Sequence, residues 1–472
     1  MIDNIKLANY KSFFADQVKE AIDEQQKINR SQMRNLFKTG ELSLAYVDSI
    51  QHETGMIILK CPRRMAPRLK VLKGVCIIKQ GAKQALGEHV TEWICRWDEF
   101  VDNKDFHSSG SDMTPMYYVH TGDSNYDYVA CSGFSFKLYD ILSKALVDGK
   151  SLSLIVHNPF PPVEYFRNLA SYMDAFSSND ELNLEPTIDY EEWTPEELAF
   201  DEQKPTGISD TIIDTLANEH CCIVQGPPGT GKSYTIASVI SSYLDAGKTV
   251  CVTTMANKGL IELIKQKPLQ KYVKEGRVSK TNLSIDERKQ VSGVKAASAD
   301  LQVPGGEMLC ATNYQLSSVF SEKKMTLYGL PQYDLVVIEE ASQAFLTAIV
   351  AFKQLGIDCL IVGDPMQLPP IVKLNNPQYN SWNVATQVEG LKSMALGTSI
   401  KSYRIVTTFR LTSRSASLTK CFYGNRFVSV KKDYLDFTKA NSVLFPQDGG
   451  VLYHGTLDVR NGVYSDKADA II

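Results

Sequence analysis

The chain has 472 residues, a formal net charge of −4, 43% hydrophobic residues and 22% charged residues. These values are typical of a soluble globular protein with enough chain for roughly two to four domains. No apolar stretch is long enough to span a bilayer, and the first residues lack the basic and apolar parts of a signal sequence. We therefore expect no membrane partner.

The ten cysteines show no C-x-x-C spacing. Several stand inside predicted core strands, which favours buried thiols over disulfides or a zinc site. We expect a reducing intracellular compartment, with the cytoplasm as the first expectation and the nucleus as the alternative. The cysteines in predicted core strands are Cys221, Cys222, Cys251, Cys310 and Cys359.

The N-terminal third predicts two helices on either side of a β-rich segment. Residues 8–38 carry an apolar set at helical spacing that stops before Gly40, and residues 163–176 predict a second helix. Between them, residues 41–158 contain short alternating runs separated by Gly, Asp and Asn. This pattern favours a small β-barrel.

The net charge hides one acidic segment and two basic ones. Residues 174–202 contain eleven Asp or Glu and no Lys or Arg, so we interpret residues 179–205 as a solvated acidic linker. Residues 54–87 carry eight basic residues and no acidic one, and residues 258–295 carry ten basic residues against four acidic ones. Such segments suit a phosphate backbone, but a solvated charged face explains them about as well.

Residues 226–233 form the most informative motif of the chain. They follow the apolar run 221–224, precede a helical run, and fit the phosphate-binding pattern G-x-x-x-x-G-K-[ST]. Glycines permit the tight turn, and the helix N-terminus attracts phosphates. We predict bound ATP, with Lys232 on the β- and γ-phosphates and Ser233 on Mg²⁺. The predicted nucleotide-binding residues here are Gly226, Pro227, Pro228, Gly229, Thr230, Gly231, Lys232, Ser233 and Tyr234.

A second apolar strand delivers two adjacent carboxylates. Residues 334–343 read Asp-Leu-Val-Val-Ile-Glu-Glu-Ala-Ser-Gln, so Glu339 and Glu340 stand at the carboxyl end, where ligands of open α/β sheets collect. We predict that Glu339 holds Mg²⁺ and that Glu340 positions or deprotonates the attacking water. Because successive strand residues face opposite sides, the pair needs a bend after the strand to act together.

A third apolar strand ends in a loop of polar and proline residues. Residues 359–370 read Cys-Leu-Ile-Val-Gly-Asp-Pro-Met-Gln-Leu-Pro-Pro. Gln367 carries both donor and acceptor atoms, so it can contact the γ-phosphate or the water beside it. We predict a catalytic role for this glutamine.

The order GPPGTGKS, IEEASQ and GDPMQLPP resembles superfamily-1 helicases of the nonsense-mediated-decay RNA helicase and senataxin type. The resemblance covers roughly residues 206–472 and implies an α/β fold: a P-loop RecA-like motor core with an N-terminal helical stalk and small β-barrel. The implied domains are 1–178 for the stalk, with the barrel at about 41–158, 179–205 for the linker, 206–400 for the first RecA-like domain, and 401–472 for an incomplete second one.

Further segments of the resemblance add residue roles. The second strand ends at Thr253 and Thr254, and a later strand ends at Thr312 and Asn313. In the family these strand ends contact the nucleic-acid backbone. The segment 407–410 resembles the motif that opens the second motor domain. The resemblance implies that Phe409 stacks on adenine and that Arg410 contacts the γ-phosphate, tasks that suit an aromatic ring and a guanidinium.

The chain departs from the family pattern at four places. Glu339 stands where most members have Asp, Ile208-Ser209-Asp210 stands where a Gln is usual, and Thr408 replaces an amide. The sequence also stops at Ile472, before the later motifs of the second motor domain. We therefore expect a partner chain or a missing C-terminal segment to complete the ATPase site.

Two functions from different classes stay open. The first is an ATP-dependent helicase or translocase that moves 5′ to 3′ on single-stranded nucleic acid, with ATP hydrolysed between two RecA-like domains. The second is a nucleotide-gated nucleic-acid-binding module with little turnover. For this chain alone, Glu339 and the missing C-terminal motifs favour the second. For the whole protein, the intact loop with Lys232, Glu340, Gln367 and Arg410 favours the first, which is the function we expect. Because the expected contacts are to the backbone, DNA and RNA are not distinguished.

Overall fold

The computed structural model describes the chain in segments. Its residues group into two units, Met1–Val406 and Thr407–Ile472. No described helix is long and apolar enough to cross a membrane. The described residues are 4–32, 34–36, 43–62, 75–78, 89, 114–120, 126–132, 143–144, 153–156, 163–177, 180–184, 186–283, 285–321, 330–372 and 384–431.

The N-terminal part contains two helices and an antiparallel sheet. Helix α1 spans Asn4–Arg30 and helix α2 spans Glu164–Ala175. They pack through Phe14 and Phe166, whose ring centroids lie 6.1 Å apart. The six-stranded sheet has the order β3-β6-β1-β2-β5-β4. Its strands are β1 Ser43–Gln51, β2 Met56–Pro62, β3 Val75–Ile78, β4 Thr114–His120, β5 Tyr126–Ser132 and β6 Ser153–Val156.

This sheet falls inside the segment for which the sequence predicts a small barrel. The described pairings leave β3 and β4 at its two edges. Closure into a barrel, and the role of α1 and α2 as a stalk, therefore stay predictions. Most of residues 63–113 and 133–152 lie outside the described residues.

The centre of the first unit is a nine-stranded parallel sheet. Its order is β11-β10-β12-β9-β13-β14-β8-β15-β7, and each described pairing is parallel. The sequence prediction of an α/β P-loop RecA-like core is confirmed. The strands are β7 Glu196–Leu198, β8 Cys221–Gln225, β9 Val250–Thr254, β10 Val278–Lys280, β11 Lys295–Ala296, β12 Met308–Thr312, β13 Tyr333–Ile338, β14 Gly356–Gly363 and β15 Lys401–Ile405.

Helices cover both faces of this sheet, as a parallel sheet requires because its strands are buried on both sides. The longer ones precede or follow the central strands. The helices are α3 Gly207–Glu219, α4 Lys232–Asp245, α5 Asn257–Ile264, α6 Gln270–Lys274, α7 Ile285–Gln290, α8 Asn313–Leu316, α9 Leu346–Lys353, α10 Val384–Val388 and α11 Gly390–Gly397.

Each sheet face has its own hydrophobic core. In β13, Leu335 and Val337 belong to the core that includes residues of α3, α4 and α5. Val336 and Ile338 belong to the other core, which includes residues of α1, α2 and α9. The alternation follows from the two-residue period of a strand. The cysteines predicted in core strands are buried and form no disulfide.

The acidic segment 179–205 is more ordered than a solvated linker requires. Strand β7 pairs with β15, joining Glu196 to Tyr403 and Leu198 to Ile405. Trp193 is buried and belongs to the hydrophobic core around α1 and α2. Part of this segment is therefore the edge of the sheet.

The second unit is described over a short stretch. Strands β16, Thr407–Thr412, and β17, Val428–Lys431, pair in parallel. Helices α12, Ser413–Leu418, and α13, Lys420–Tyr423, connect them. Ala416, Tyr423 and Phe427 form a small buried cluster.

Candidate nucleotide-binding site

Five central strands end at one edge of the parallel sheet. In sheet order β12, β9, β13, β14 and β8 are neighbours. Because they are parallel, their carboxyl ends lie side by side, which is where open α/β sheets bind ligands. The polar residues of each sequence motif in the first unit stand at the end of one of these strands or just after it. The fold thus brings together residues that are far apart in the sequence.

The segment 226–233 forms a tight loop between β8 and α4. Its first N–H, of Gly226, donates to the carbonyl oxygen of Gly363 at the end of β14, 3.0 Å away. Gly229 and Gly231 have φ angles of +75° and +77°, a region that side chains with a Cβ rarely adopt. Helix α4 begins at Lys232, so its positive N-terminal end faces the loop.

Lys232 lies across this loop. Its Nζ donates to the carbonyl oxygen of Gly226 and to that of Pro227, the latter at 3.4 Å. A Cβ atom on Gly226 would lie 2.1 Å from the Lys232 side chain. Glycine at this position therefore leaves room for the lysine, whose ammonium lies against the backbone of the loop.

Ser233 and Glu339 meet beside the loop. The Ser233 hydroxyl donates to Glu339 Oε1 at 3.1 Å. Glu339 is buried, and among the described residues its Oε2 has no hydrogen-bond partner. Burial raises the pKa of the Glu339 carboxyl to about 7, the Ser233 hydrogen bond and Lys232 oppose this rise, and Glu340 adds to it.

These two side chains fit a magnesium ion. A hydroxyl and a carboxylate are hard oxygen donors, and Mg²⁺ is typically bound through one or two carboxylates with phosphate and water as the remaining ligands. Within the described residues there is no group of three or more His, Cys, Asp or Glu that could hold a metal by itself. Ser233 and Glu339 would therefore hold Mg²⁺ together with the nucleotide.

Glu340 leaves the strand at a bend. Its φ and ψ angles are +54° and +38°, the left-handed region that non-glycine residues rarely occupy. The bend that the strand period demands for two adjacent carboxylates is therefore present. Glu340 Oε2 accepts a hydrogen bond from Thr254 Oγ1 at 3.2 Å, so the carboxylate is oriented by the neighbouring strand end.

Gln367 is exposed and held by Asp364. Its Nε2 donates to Asp364 Oδ2 at 3.2 Å. The other carboxylate oxygen of Asp364 accepts from the Met366 N–H and from Gln225 Nε2, both at 3.1 Å. This buried aspartate thus fixes the loop that carries Gln367 to the end of β8.

Gln225 is the centre of a polar network that sequence reasoning missed. It is fully buried, and its Nε2 also donates to Tyr190 Oη at 2.8 Å. Arg404 Nε donates to Gln225 Oε1 at 2.6 Å, and its guanidinium lies 5.6 Å from the Trp193 ring centroid. One feature of the sequence could have indicated this network: Gln225 is a polar residue at the end of an apolar strand, directly before the loop.

The four residues expected to contact nucleic acid lie together but are buried. Thr253 Oγ1 donates to Asn313 Oδ1 at 2.7 Å. Thr254 and Thr312 are also buried. The side chains of Thr253 and Asn313 thus bond to each other below the surface, so the strand ends are ordered by this contact.

Phe409 and Arg410 lie on β16 in the second unit. Both are exposed. Each unit has its own packing, so the expected contacts of Phe409 with adenine and of Arg410 with the γ-phosphate stay predictions.

Comparisons with known proteins agree with a P-loop ATPase. A family model described as an AAA domain, AAA_19, matches residues 209–373. The DNA replication ATP-dependent helicase/nuclease dna2 of Schizosaccharomyces pombe is 29% identical over 232 residues, which are 46% of this chain and 15% of that protein. The Saccharomyces cerevisiae protein named DNA replication ATP-dependent helicase/nuclease DNA2 is 26% identical over 207 residues, 41% of this chain and 12% of that protein.

Among solved structures, arterivirus nonstructural protein 10 (helicase) matches with a TM-score of 0.28 and 15% identity, covering 46% of this chain and 43% of that one. The chain spans only 12% to 15% of the length of the two curated relatives above. The family model and the two curated relatives support an ATP-hydrolysing P-loop core in this chain. These comparisons do not test the narrower resemblance to helicases of the nonsense-mediated-decay and senataxin type.

Proposed function

We propose that the chain is the ATP-hydrolysing part of a nucleic-acid helicase or translocase. The observation that carries the proposal is the Ser233–Glu339 hydrogen bond beside Lys232. It places a cation, a hydroxyl and a carboxylate at the mouth of a phosphate-binding loop. These are the groups that bind a triphosphate and its metal in P-loop ATPases.

The residues divide the work of phosphoryl transfer. Lys232 binds the β- and γ-phosphates, and the loop N–H groups and the α4 N-terminus add positive potential. Ser233 and Glu339 would hold Mg²⁺, which would neutralise part of the phosphate charge. Glu340 holds the attacking water and accepts its proton, and Gln367 orients the same water or the γ-phosphate. The roles that the resemblance implies, Phe409 on adenine and Arg410 on the γ-phosphate, are part of this proposal.

The nucleic-acid track is proposed from the relatives and the resemblance. The two curated relatives are named DNA replication ATP-dependent helicase/nuclease, which supports single-stranded DNA, with RNA as the other candidate. The edge formed by β9 and β12 adjoins the nucleotide site through Thr254 and Glu340. We further propose 5′ to 3′ movement and the nonsense-mediated-decay or senataxin type, because the motifs carry that resemblance.

The proposed domains are those of the sequence prediction with two changed boundaries. Strand β15, Lys401–Ile405, belongs to the parallel sheet of the first unit, so we propose that the second RecA-like domain begins at Thr407 and not at residue 401. The segment 179–205 adds β7 to the first RecA-like domain, so we propose that this domain begins before residue 206.

The alternative function is a nucleotide-gated module with little turnover, and the longer side chain of Glu339 is one argument for it. Because Glu339 reaches Ser233 in spite of its extra methylene, we favour the motor.

ATP turnover of the chain, with and without single-stranded DNA and RNA, tests the proposal. We expect ATP binding with Mg²⁺ and slow Mg²⁺-dependent turnover that a single strand stimulates, because we propose that a partner chain completes the ATPase site. A chain that binds ATP but never hydrolyses it, with every strand tried, would favour the nucleotide-gated module.

A further inference from the structure

An aromatic side chain is exposed next to the buried strand-end residues. Tyr314 is the second residue of α8, which begins at Asn313, and it is 38% exposed. Its neighbours in the helix, Asn313 and Leu316, are fully buried. At the end of β12, Tyr314 therefore presents an accessible aromatic surface where Thr312 and Asn313 present none.

Tyr314 is supported from behind by a second ring. It stacks on Tyr165 of α2 with a centroid distance of 4.8 Å and an interplanar angle of 28°. Tyr165 is 1% exposed. It contacts Phe345, at 6.1 Å, and Phe345 meets Phe14 edge to face at 5.5 Å. The exposed tyrosine is thus the outer member of a packed aromatic column.

The column also fixes where α8 lies. Asn168 of α2 donates to Ser317 Oγ at 3.0 Å, just after α8 ends. Thr253 fixes the start of α8 through Asn313. A ring held in this way loses little conformational entropy when it binds a planar ligand, because its orientation is already set.

We propose that Tyr314 is a stacking platform for a base of single-stranded nucleic acid. The proposal rests on the proposed function, since it takes β9 and β12 as the strand-binding edge. Stacking on an aromatic ring is tolerant of sequence because every base has a π face. Stacking on Tyr314 would explain how the edge formed by β9 and β12 binds single-stranded nucleic acid although its threonines and Asn313 are buried.

Glu164, the residue before Tyr165 in α2, is a charged group near the platform. Burial raises the pKa of the Tyr314 phenol, and the nearby Glu164 carboxylate raises it further. A carboxylate this close repels a phosphate but leaves stacking unaffected. Glu164→Gln should therefore tighten strand binding at low salt, and the gain should shrink as salt screens the charge.

The test uses the whole chain and fluorescence anisotropy with labelled single strands of DNA and RNA, and with a DNA strand of the same length whose internal sites are abasic. Tyr314→Ala should weaken binding to both natural strands about 5- to 20-fold, toward the lower part of the stacking range. The slope of affinity against salt should not change, because no phosphate contact is lost. On the abasic strand, wild type and Tyr314→Ala should bind alike.

Matched variants guard against misfolding. Tyr314→Phe keeps the ring and should bind like wild type. Tyr314→Leu keeps apolar contact with Tyr165 and should show a loss close to that of Tyr314→Ala. Ile357→Ala removes an exposed apolar side chain at the amino end of β14, the opposite edge, and should change nothing. Thermal unfolding and strand-free ATP turnover of each variant should match wild type.

The outcomes separate this proposal from the proposed function. If wild type binds strands and Tyr314→Ala binds them equally well, only the stacking platform is wrong. If Tyr314→Ala weakens binding to the abasic strand as much as binding to the natural strands, the stacking platform is also wrong, because the lost contact then does not involve a base. If wild type binds no single strand at all, the nucleic-acid part of the proposed function fails as well.

Discussion

The Ser233 hydroxyl and the Glu339 carboxylate are joined by a hydrogen bond of 3.1 Å. They are 106 residues apart in the sequence and meet because β8 and β13 flank β14 in a parallel sheet. The backbone N–H of Glu339 is bonded to the Thr253 carbonyl at 2.9 Å, so the start of the acidic pair is fixed by the neighbouring strand. The longer side chain of Glu339 thus still reaches the hydroxyl that follows Lys232.

Glu339→Gln tests the metal assignment. The amide oxygen can still accept from Ser233, but the charge that holds a divalent cation is lost. We expect the affinity for a fluorescent ATP analogue in the presence of Mg²⁺ to fall more than about tenfold. Affinity measured in EDTA should stay near that of wild type.

The control for this variant is Glu262→Gln, an exposed carboxylate on α5. It should leave both affinities unchanged. Equal Mg²⁺ dependence in wild type and Glu339→Gln would remove Glu339 from the metal site.

Glu340→Gln tests the catalytic base. The amide keeps the shape and can still accept from Thr254, but it cannot take a proton from water. Single-turnover hydrolysis should slow by about 10² to 10⁴, while ATP affinity stays within about twofold of wild type. A comparable loss in affinity and in rate would instead indicate that Glu340 is mainly a metal ligand.

Gln225→Leu tests the polar network below the loop. It leaves the buried Asp364 without one donor and Arg404 without one acceptor. Hydrogen bonds to charged groups contribute about 1.5–3 kcal/mol each, so we expect the free energy of unfolding to fall by about 2–4 kcal/mol. Urea unfolding followed by circular dichroism measures this change.

Gln203→Leu, at an exposed position, is the matched control and should shift stability by less than about 0.5 kcal/mol. If Gln225→Leu unfolds at the same urea concentration as this control, the network does not contribute to the free energy of unfolding.

The grouping of the candidate nucleotide-site residues at one sheet edge could be predicted because its signals are local. Each motif follows an apolar run of four to six residues that became a central strand, as in β8 and β13. Parallel strands then bring those ends together whatever lies between them. Even the bend at Glu340 follows from the two-residue period, since two adjacent carboxylates cannot otherwise share one face.

The polar network and the aromatic column could not be predicted, because their members are distant in sequence. Gln225 contacts residues 35 and 179 positions away, Tyr190 and Arg404. Tyr314 and Tyr165 carry no motif that would link them. Strand β7 could not be predicted for another reason. It has three residues, two of them Glu, so its own sequence pattern does not indicate a strand. It is a strand because it pairs with β15.

The most direct test of the central claim is ATP binding and turnover by Lys232→Ala. No other side chain in the loop carries a positive charge, so nothing there can replace the contact to the β- and γ-phosphates. We predict that wild type and the surface control Lys265→Ala bind ATP with Mg²⁺ and hydrolyse it, and that Lys232→Ala loses binding or turnover. Unchanged turnover in purified Lys232→Ala would contradict the assignment of residues 226–233 as the nucleotide site.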